Sequence, residues 1–250
     1  MYKCKFIFRN TAKRERSLMK KIVLAGLEGK MGTFLLEGLR KEANIQIVAG
    51  VGEVQKLDQE IPIYSDLYEL IENIEFDVYV DFTEHEFSKY AAEIMALAEK
   101  PIVVGTTGFS EEDIEDIKNF GGKGVIAPNF SIGAVLLNTF AEMCAHYFED
   151  FAINEYHHRA KKDNPSGTAI YIANNIDRNL SRSLNTTPVH GIRLPGVLAT
   201  HHIVISDESQ KLELIHQSNN RQSFVKGVIL AITKVDDLEE IIYGLEHIIK

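Results

Sequence analysis

Between Lys20 and Ile126 short β-branched runs alternate with amphipathic stretches, and this alternation is what most restricts the folds open to the chain. The apolar runs are Ile22–Ala25, Ile45–Val51, Val78–Val80, Ile102–Val104 and Gly124–Ile126. Between them, Met31–Glu42, Asp66–Ile74, Glu86–Glu99 and Glu111–Phe120 carry apolar residues at helical spacing, several opened by Ser, Asp or Thr where an N-cap is needed. A short strand-like run that gives way to a helical period is a βα unit, and five such strands in series imply a doubly wound parallel sheet.

After Pro128 the pattern changes. Gly133–Tyr147 reads as a long helix, Phe151–His158 as a strand, and Ser166 opens a further helix. Ile203–Ser206 and Leu212–His216 alternate as antiparallel strands do, and another helix begins near Arg221. The expected organisation is α/β: a first domain over residues 19–130, then a second, α+β domain over 131–235 with a mostly antiparallel open sheet. Residues 236–250 read as a helix that returns to the first domain. Residues 1–18 lack a clear period and read as a disordered extension or the product of an upstream start codon.

The first strand runs into Gly26, Leu27, Glu28, Gly29, Lys30, Met31 and Gly32, so glycines recur at every third residue across a strand-to-helix turn. Without a Cβ the backbone can approach a pyrophosphate, whose charge the helix N-terminal N–H groups stabilise. A turn of this kind after the first strand makes the sheet Rossmann-type and the ligand a dinucleotide. About 20 residues further on, an acid would bind the ribose hydroxyls of NAD and a cation the 2′-phosphate of NADP. Glu53 is the candidate acid and Lys56 the candidate cation, so NADH and NADPH both stay open. Asp81-Phe82-Thr83, Gly105-Thr106-Thr107-Gly108 and Ala127-Pro128-Asn129-Phe130-Ser131 follow strand ends on the same rim, where parallel sheets bind ligands. Asn129 is a candidate hydrogen-bond partner for the nicotinamide carboxamide.

Charge narrows the partners. The chain of 250 residues carries a formal net charge of -9, and residues 1–18 alone are basic, so the body is strongly acidic. Binding to nucleic acid needs a basic face and is not expected. No apolar run approaches the roughly 18 residues of a membrane span, and no secretory signal follows the basic start. The two cysteines, Cys4 and Cys144, lie far apart, which excludes a disulfide scaffold or a cysteine-based zinc site and suits a reducing, cytoplasmic setting.

The densest chemistry is Glu155-Tyr156-His157-His158-Arg159-Ala160-Lys161-Lys162-Asp163-Asn164-Pro165-Ser166-Gly167-Thr168. Two histidines that end a strand project to opposite faces, so they do not chelate jointly and no metal is expected. His157 suits acid/base work near neutral pH, and Lys161 among other cations is a candidate proton donor. Ser166 and Thr168, with the first N–H groups of the helix they open, can hold a carboxylate.

These residues resemble the dihydrodipicolinate reductase (4-hydroxy-tetrahydrodipicolinate reductase) family of the diaminopimelate route to lysine. The resemblance spans residues 20–250 and is carried by GLEGKMG, DFT, GTTG, APNFSIG, EYHHRAKKDNPSGTA and, more loosely, LELIHQSNNRQSFVKG. It implies an NADH- or NADPH-dependent oxidoreductase that reduces a cyclic dicarboxylate, 4-hydroxy-tetrahydrodipicolinate, and assembles as a homotetramer through the second domain's sheet. By the same resemblance His157 is the acid/base histidine and Lys161 the proton donor. His158, Ser166, Gly167 and Thr168 then contact the substrate, and Gly26 to Met31, Gly105 to Thr107 and Ala127 to Phe130 the cofactor. Two features depart from the family's usual pattern: Pro195 and Ala199 stand at glycine positions after Arg193, and Gly52 stands where the ribose acid is expected, one place before Glu53. The residues alone also admit another two-domain NAD(P)-dependent dehydrogenase acting on an amino acid or sugar, or a non-catalytic NAD(P)-binding sensor.

Overall fold

The structure, a computed structural model, describes residues 19–52 and 61–249; the proposed extension 1–18, Glu53 and Lys56 lie outside the described residues. The strands of the first half are β1 (Lys20–Ala25), β2 (Ile45–Val51), β3 (Ile63–Tyr64), β4 (Val78–Asp81), β5 (Ile102–Val104) and β6 (Gly124–Ile126). They are interleaved with α1 (Lys30–Leu39), α2 (Leu67–Asn73), α3 (His85–Leu97) and α4 (Glu111–Asn119). Then come α5 (Ile132–Cys144), β7 (Asp150–His158), α6 (Gly167–Asn179), β8 (Val189–Leu194), β9 (Ala199–Ser206), β10 (Lys211–Ser218), α7 (Gln222–Lys234) and β11 (Ile241–Tyr243).

The first sheet has seven strands in the order β11-β6-β5-β4-β1-β2-β3, all parallel. Its central strands are buried on both faces, which is why their sequences are continuous β-branched runs. On one face Leu35 and Leu39 of α1 meet Val225 and Val228 of α7; on the other Leu67, Ala91, Met95 and Ile117 cover the sheet from α2, α3 and α4. Strand order reverses at β1, between β2 and β4, and a doubly wound sheet opens its ligand crevice at such a point.

The second sheet, β10-β9-β7-β8, is mixed: β9 pairs antiparallel with both β10 and β7, while β8 is parallel to β7. Leu137 and Ala141 of α5 and Ile172 and Ile176 of α6 pack on Ile153, Ile203 and Ile205. Two expectations need correction. The parallel sheet has seven strands rather than five, because β3 and β11 join its edges. The helix expected towards the C-terminus is not formed over the described residues: Ile241–Tyr243 pair with β6 as a strand, and Gly244, at φ +107°, turns the chain before a short 3-10 turn at Leu245–His247. Helix α7, sequentially after the second sheet, already packs on the first. Among the described residues no helix is long and apolar enough to cross a membrane.

Candidate active site

Gly26 leaves β1 at φ +80°, a conformation that costs any residue with a Cβ. A Cβ on Gly32 would come within 2.0 Å of the Gly26 carbonyl oxygen, so helix and turn can approach this closely only as glycines. Gly29 caps α1 without a side-chain hydrogen bond, which leaves the first N–H groups of the helix to serve an anion. Gly26, Glu28 and Gly29 line a cavity of about 600 Å³ with Gly52, Ser65, Phe82 and Thr83, at the reversal of strand order. This glycine cradle fits a dinucleotide pyrophosphate. Leu27 points into the core, and Lys30 and Met31 begin the helix beside the cavity without lining it.

The next two loops are tied together by Asp81, the fully buried last residue of β4. Its Oδ1 accepts from Thr83 N at 2.8 Å, Thr83 Oγ1 at 2.6 Å and Thr106 Oγ1 at 3.1 Å. Burial raises the Asp81 pKa, and these hydrogen bonds only partly oppose it. The Thr106 side chain is therefore engaged inward, and the Phe82 ring packs directly on Gly105, where a Cβ would lie 2.1 Å from Phe82 Cε1. Ala127 and Phe130 are buried, so only their backbone faces the rim. Asn129 reaches outward: its Oδ1 accepts from Ser131 N at 2.8 Å and its Nδ2 donates to Thr168 Oγ1 at 3.5 Å.

The strand alternation of β7 turns Ile153, Glu155 and His157 inward and leaves His158 on the other face. The His157 Nδ1 bonds Glu155 Oε2. Burial pulls the His157 pKa below its ordinary value, and Glu155 acts against that pull. His201 of β9 stands opposite Glu155 in register, its ring edge-on to His157 at 5.4 Å between centroids. Burial, followed by the neighbouring His157, pushes the His201 pKa down to about 4. Lys161 pairs with Asp163 at 2.8 Å; burial is the largest single influence on Asp163 and raises its pKa, but the hydrogen bond and charge of Lys161 together with backbone N–H groups outweigh it, and the net shift is downward.

Ser166 caps α6: its Oγ accepts from Ala169 N at 3.3 Å while its own N–H donates to Glu155 Oε1 at 3.2 Å. Thr107, Pro128, Asn129 and Tyr243 from the parallel sheet's rim face His157, Lys161, Asp163, Ser166, Gly167 and Thr168 across one cavity of about 370 Å³. His158 faces an adjoining cavity of about 230 Å³ with His201, His216 and Arg221.

Most residues expected from the sequence thus converge on the crevice and the cleft beside it. Glu155, Asp163, Arg193, His201, His216 and Arg221 are absent from that expected set. Strand alternation two residues before His157 could have found Glu155, and Asp163 lies inside the conspicuous loop. The other four arrive through strand pairing and chain return, for which a single sequence carries no local signal. The ligand-capable atoms of Glu155, His157 and His201 lie within 4.8 Å of one another. Within the trio, Glu155 Oε2 takes the His157 Nδ1 and Arg193 places a cation on Glu155 Oε1 at 2.9 Å, while His201 Nε2 faces Ser166 Oγ at 3.4 Å.

Comparison with known proteins agrees with this geometry. Residues 20–130 match the family described as "Dihydrodipicolinate reductase, N-terminus" and residues 133–249 that described as "Dihydrodipicolinate reductase, C-terminus". A 4-hydroxy-tetrahydrodipicolinate reductase of Lactococcus lactis subsp. cremoris (strain SK11) is 37% identical, covering 91% of this chain and 96% of its own. One of Bacillus velezensis is 34% identical over 92% and 97% of the two chains. The dipicolinate-bound dihydrodipicolinate reductase from Paenisporosarcina sp. TG-14 superposes with a TM-score of 0.84 at 31% identity, over 93% of this chain and 100% of that one. A probable dehydrogenase from Thermotoga maritima, at 11% identity and a TM-score of 0.65, shares the fold alone. With both halves matched in order and near-full-length relatives above 30% identity, the chain belongs to the dihydrodipicolinate reductase family.

Proposed function

We propose that this chain reduces 4-hydroxy-tetrahydrodipicolinate to tetrahydrodipicolinate with NADH or NADPH, in the diaminopimelate route to lysine. The observation that carries the reading is the cleft in which His157 and Lys161 meet Asn129 and Thr168 at the carboxyl rim of a dinucleotide-type sheet. The names of its relatives support the same reaction.

When bound, the nicotinamide supplies a hydride to the dehydrated ring. The chain does the rest. Backbone N–H groups at Gly26 to Met31 hold the pyrophosphate, and Gly105 to Thr107 with Ala127 to Phe130 shape the nicotinamide side. The N–H groups of Gly167 and Thr168, with His158 and the Ser166 segment, receive the substrate carboxylates. A carboxylate there meets donors already used by one: Asp163 accepts from Lys161 and, at 3.4 Å, from Gly167 N. Lys161 delivers a proton to the ring and His157 relays protons beside it, while positioning and electrostatics carry most of the rate.

Lys161→Ala and His157→Gln each lower kcat by roughly two or more orders of magnitude in a folded protein, the usual scale for losing a general acid or base. Near-normal turnover in folded Lys161→Ala overturns the assignment. Pyridine-2,6-dicarboxylate is expected to compete with substrate, and indifference to it contradicts the dianion site. A homotetramer built through the second sheet belongs to the same proposal, supported by Leu212 and Ile215, which lie exposed on the edge strand β10. Light scattering of the purified chain tests it. A cytoplasmic location, supported by the sparing use of cysteine, completes the reading.

A further inference from the structure

We infer that Glu155 is a positioning residue of this site: it holds His157 as the Nδ1–H tautomer with Nε2 toward the cleft, and Arg193 locks Glu155 to the loop that carries Lys161. The inference rests on the reading above, in which His157 and Lys161 handle the protons.

Glu155 is wholly buried, yet its partners are all accounted for. Oε2 takes the His157 Nδ1, and Oε1 accepts from Arg193 Nη1 at 2.9 Å and from Ser166 N at 3.2 Å. A carboxylate paired with a guanidinium only accepts, so the proton of this bond sits on His157 Nδ1 and the other ring nitrogen is left for the cleft. Arg193 extends the chain of contacts. Its Nη1 also donates to Ile192 O at 3.0 Å, and its Nη2 donates to the backbone oxygen of Asp163. The carboxylate of that same Asp163 bonds Lys161. One buried carboxylate and one arginine therefore connect the histidine to the lysine through protein alone.

The backbone is cut to fit this arrangement. Gly191 of β8 lies opposite Glu155 in register, and a Cβ there would come within 1.7 Å of Asn164 Oδ1 and 2.7 Å of Glu155 Oε1. The missing side chain leaves room for the Asn164 and Glu155 side chains to lie against the β8 backbone. The charged and titratable groups around His157 are Glu155 on its own strand, Arg193 on β8, His201 on β9 and Lys161 on the loop. Of these Glu155 favours a proton on His157, while Lys161 and Arg193 disfavour it.

The test uses the whole enzyme with saturating substrate and with cofactor varied up to saturation. Glu155→Gln keeps the shape and removes the charge; kcat is expected to fall at least ~10-fold while the cofactor KM stays within about twofold. The limb of the pH–kcat profile that reports His157 moves to lower pH, by about one unit or more. Arg193→Gln moves the same limb the opposite way, because it removes the opposing cation. A purely structural role predicts neither shift, and coincident profiles for wild type and Glu155→Gln overturn the inference. His157→Gln, assayed alongside, separates the two ideas. Near-normal turnover there defeats the underlying reading, whereas a dead His157→Gln with an unmoved Glu155→Gln profile defeats this inference alone. Should Glu155→Gln not fold, nitrogen NMR of histidine-labelled wild type decides: the Nδ1–H tautomer of His157 is expected, and the Nε2–H tautomer overturns the proposal.

Discussion

Gly26→Ala probes the cofactor turn at its tightest point. At φ +80° an alanine pays the left-handed penalty of about 1–2 kcal/mol. Its Cβ would also lie 2.6 Å from Phe82 O, 2.8 Å from Phe82 C and 3.1 Å from Thr83 N. These are backbone atoms, so no side-chain rotation relieves the contact. Reaching ordinary contact near 3.4 Å requires the Gly26 turn and the Phe82 loop to part by about 0.8 Å. With an overpacking cost of about 1 kcal/mol or more, the loss of stability is at least ~2 kcal/mol, a fall in Tm of roughly 4–8 °C for a chain of this size. The same displacement takes turn N–H groups off the pyrophosphate. A hydrogen bond to a charged group is worth about 1.5–3 kcal/mol, so Kd for NADH and NADPH should rise ~10-fold or more. Cofactor fluorescence titration and thermal unfolding measure the two effects. An alanine variant with wild-type Tm and Kd within about twofold of wild type would refute the close-approach argument.

Asp81→Ala strips the acceptor shared by Thr83 and Thr106 and orphans their donors, at about 1–3 kcal/mol; steady-state kinetics should show the cofactor KM rising more than kcat falls. Acid should weaken the fold through His201. Its folded pKa of about 4 lies below the ordinary 6.5, so between those values the unfolded chain binds more protons and stability declines as pH falls. The gap is worth roughly 3 kcal/mol, and His157 and His216, also lowered by burial, act in the same direction. Urea unfolding at pH 7 and pH 4 measures it, and His201→Gln should flatten the difference. Ser110→Ala removes the capping box of α4, in which Ser110 Oγ accepts from Asp113 N at 3.0 Å, and should cost about 1 kcal/mol with kcat unchanged.

The legible parts of the fold are those whose local pattern and tertiary role coincide. Ile22–Ala25 reads as a buried strand because a central parallel strand needs apolar residues on both faces. Val189–Leu194 carries His190, Gly191 and Arg193, and its strand character comes from pairing with β7 rather than from alternation. Leu238, Ile241, Leu245 and Ile248 repeat as on a helix, but Gly244 breaks the period and the open edge of β6 captures Ile241–Tyr243. The candidate site divides along the same line. His157, Lys161 and Ser166 to Thr168 stand within one stretch and announce themselves. Arg193 and His201 meet Glu155 only because β8 and β9 flank β7 in fixed register, a relation set by pairing across the sheet and invisible along the chain.

The most direct test of the reductase reading supplies 4-hydroxy-tetrahydrodipicolinate, generated in solution by the preceding synthase, to the purified chain and follows consumption of NADH and NADPH in parallel. The expected result is rapid oxidation of at least one nucleotide that requires both enzyme and substrate, is blocked competitively by pyridine-2,6-dicarboxylate, and is all but lost in Lys161→Ala. Cofactor that binds but is not oxidised with this substrate, or is oxidised only with a sugar or amino-acid partner, would contradict it.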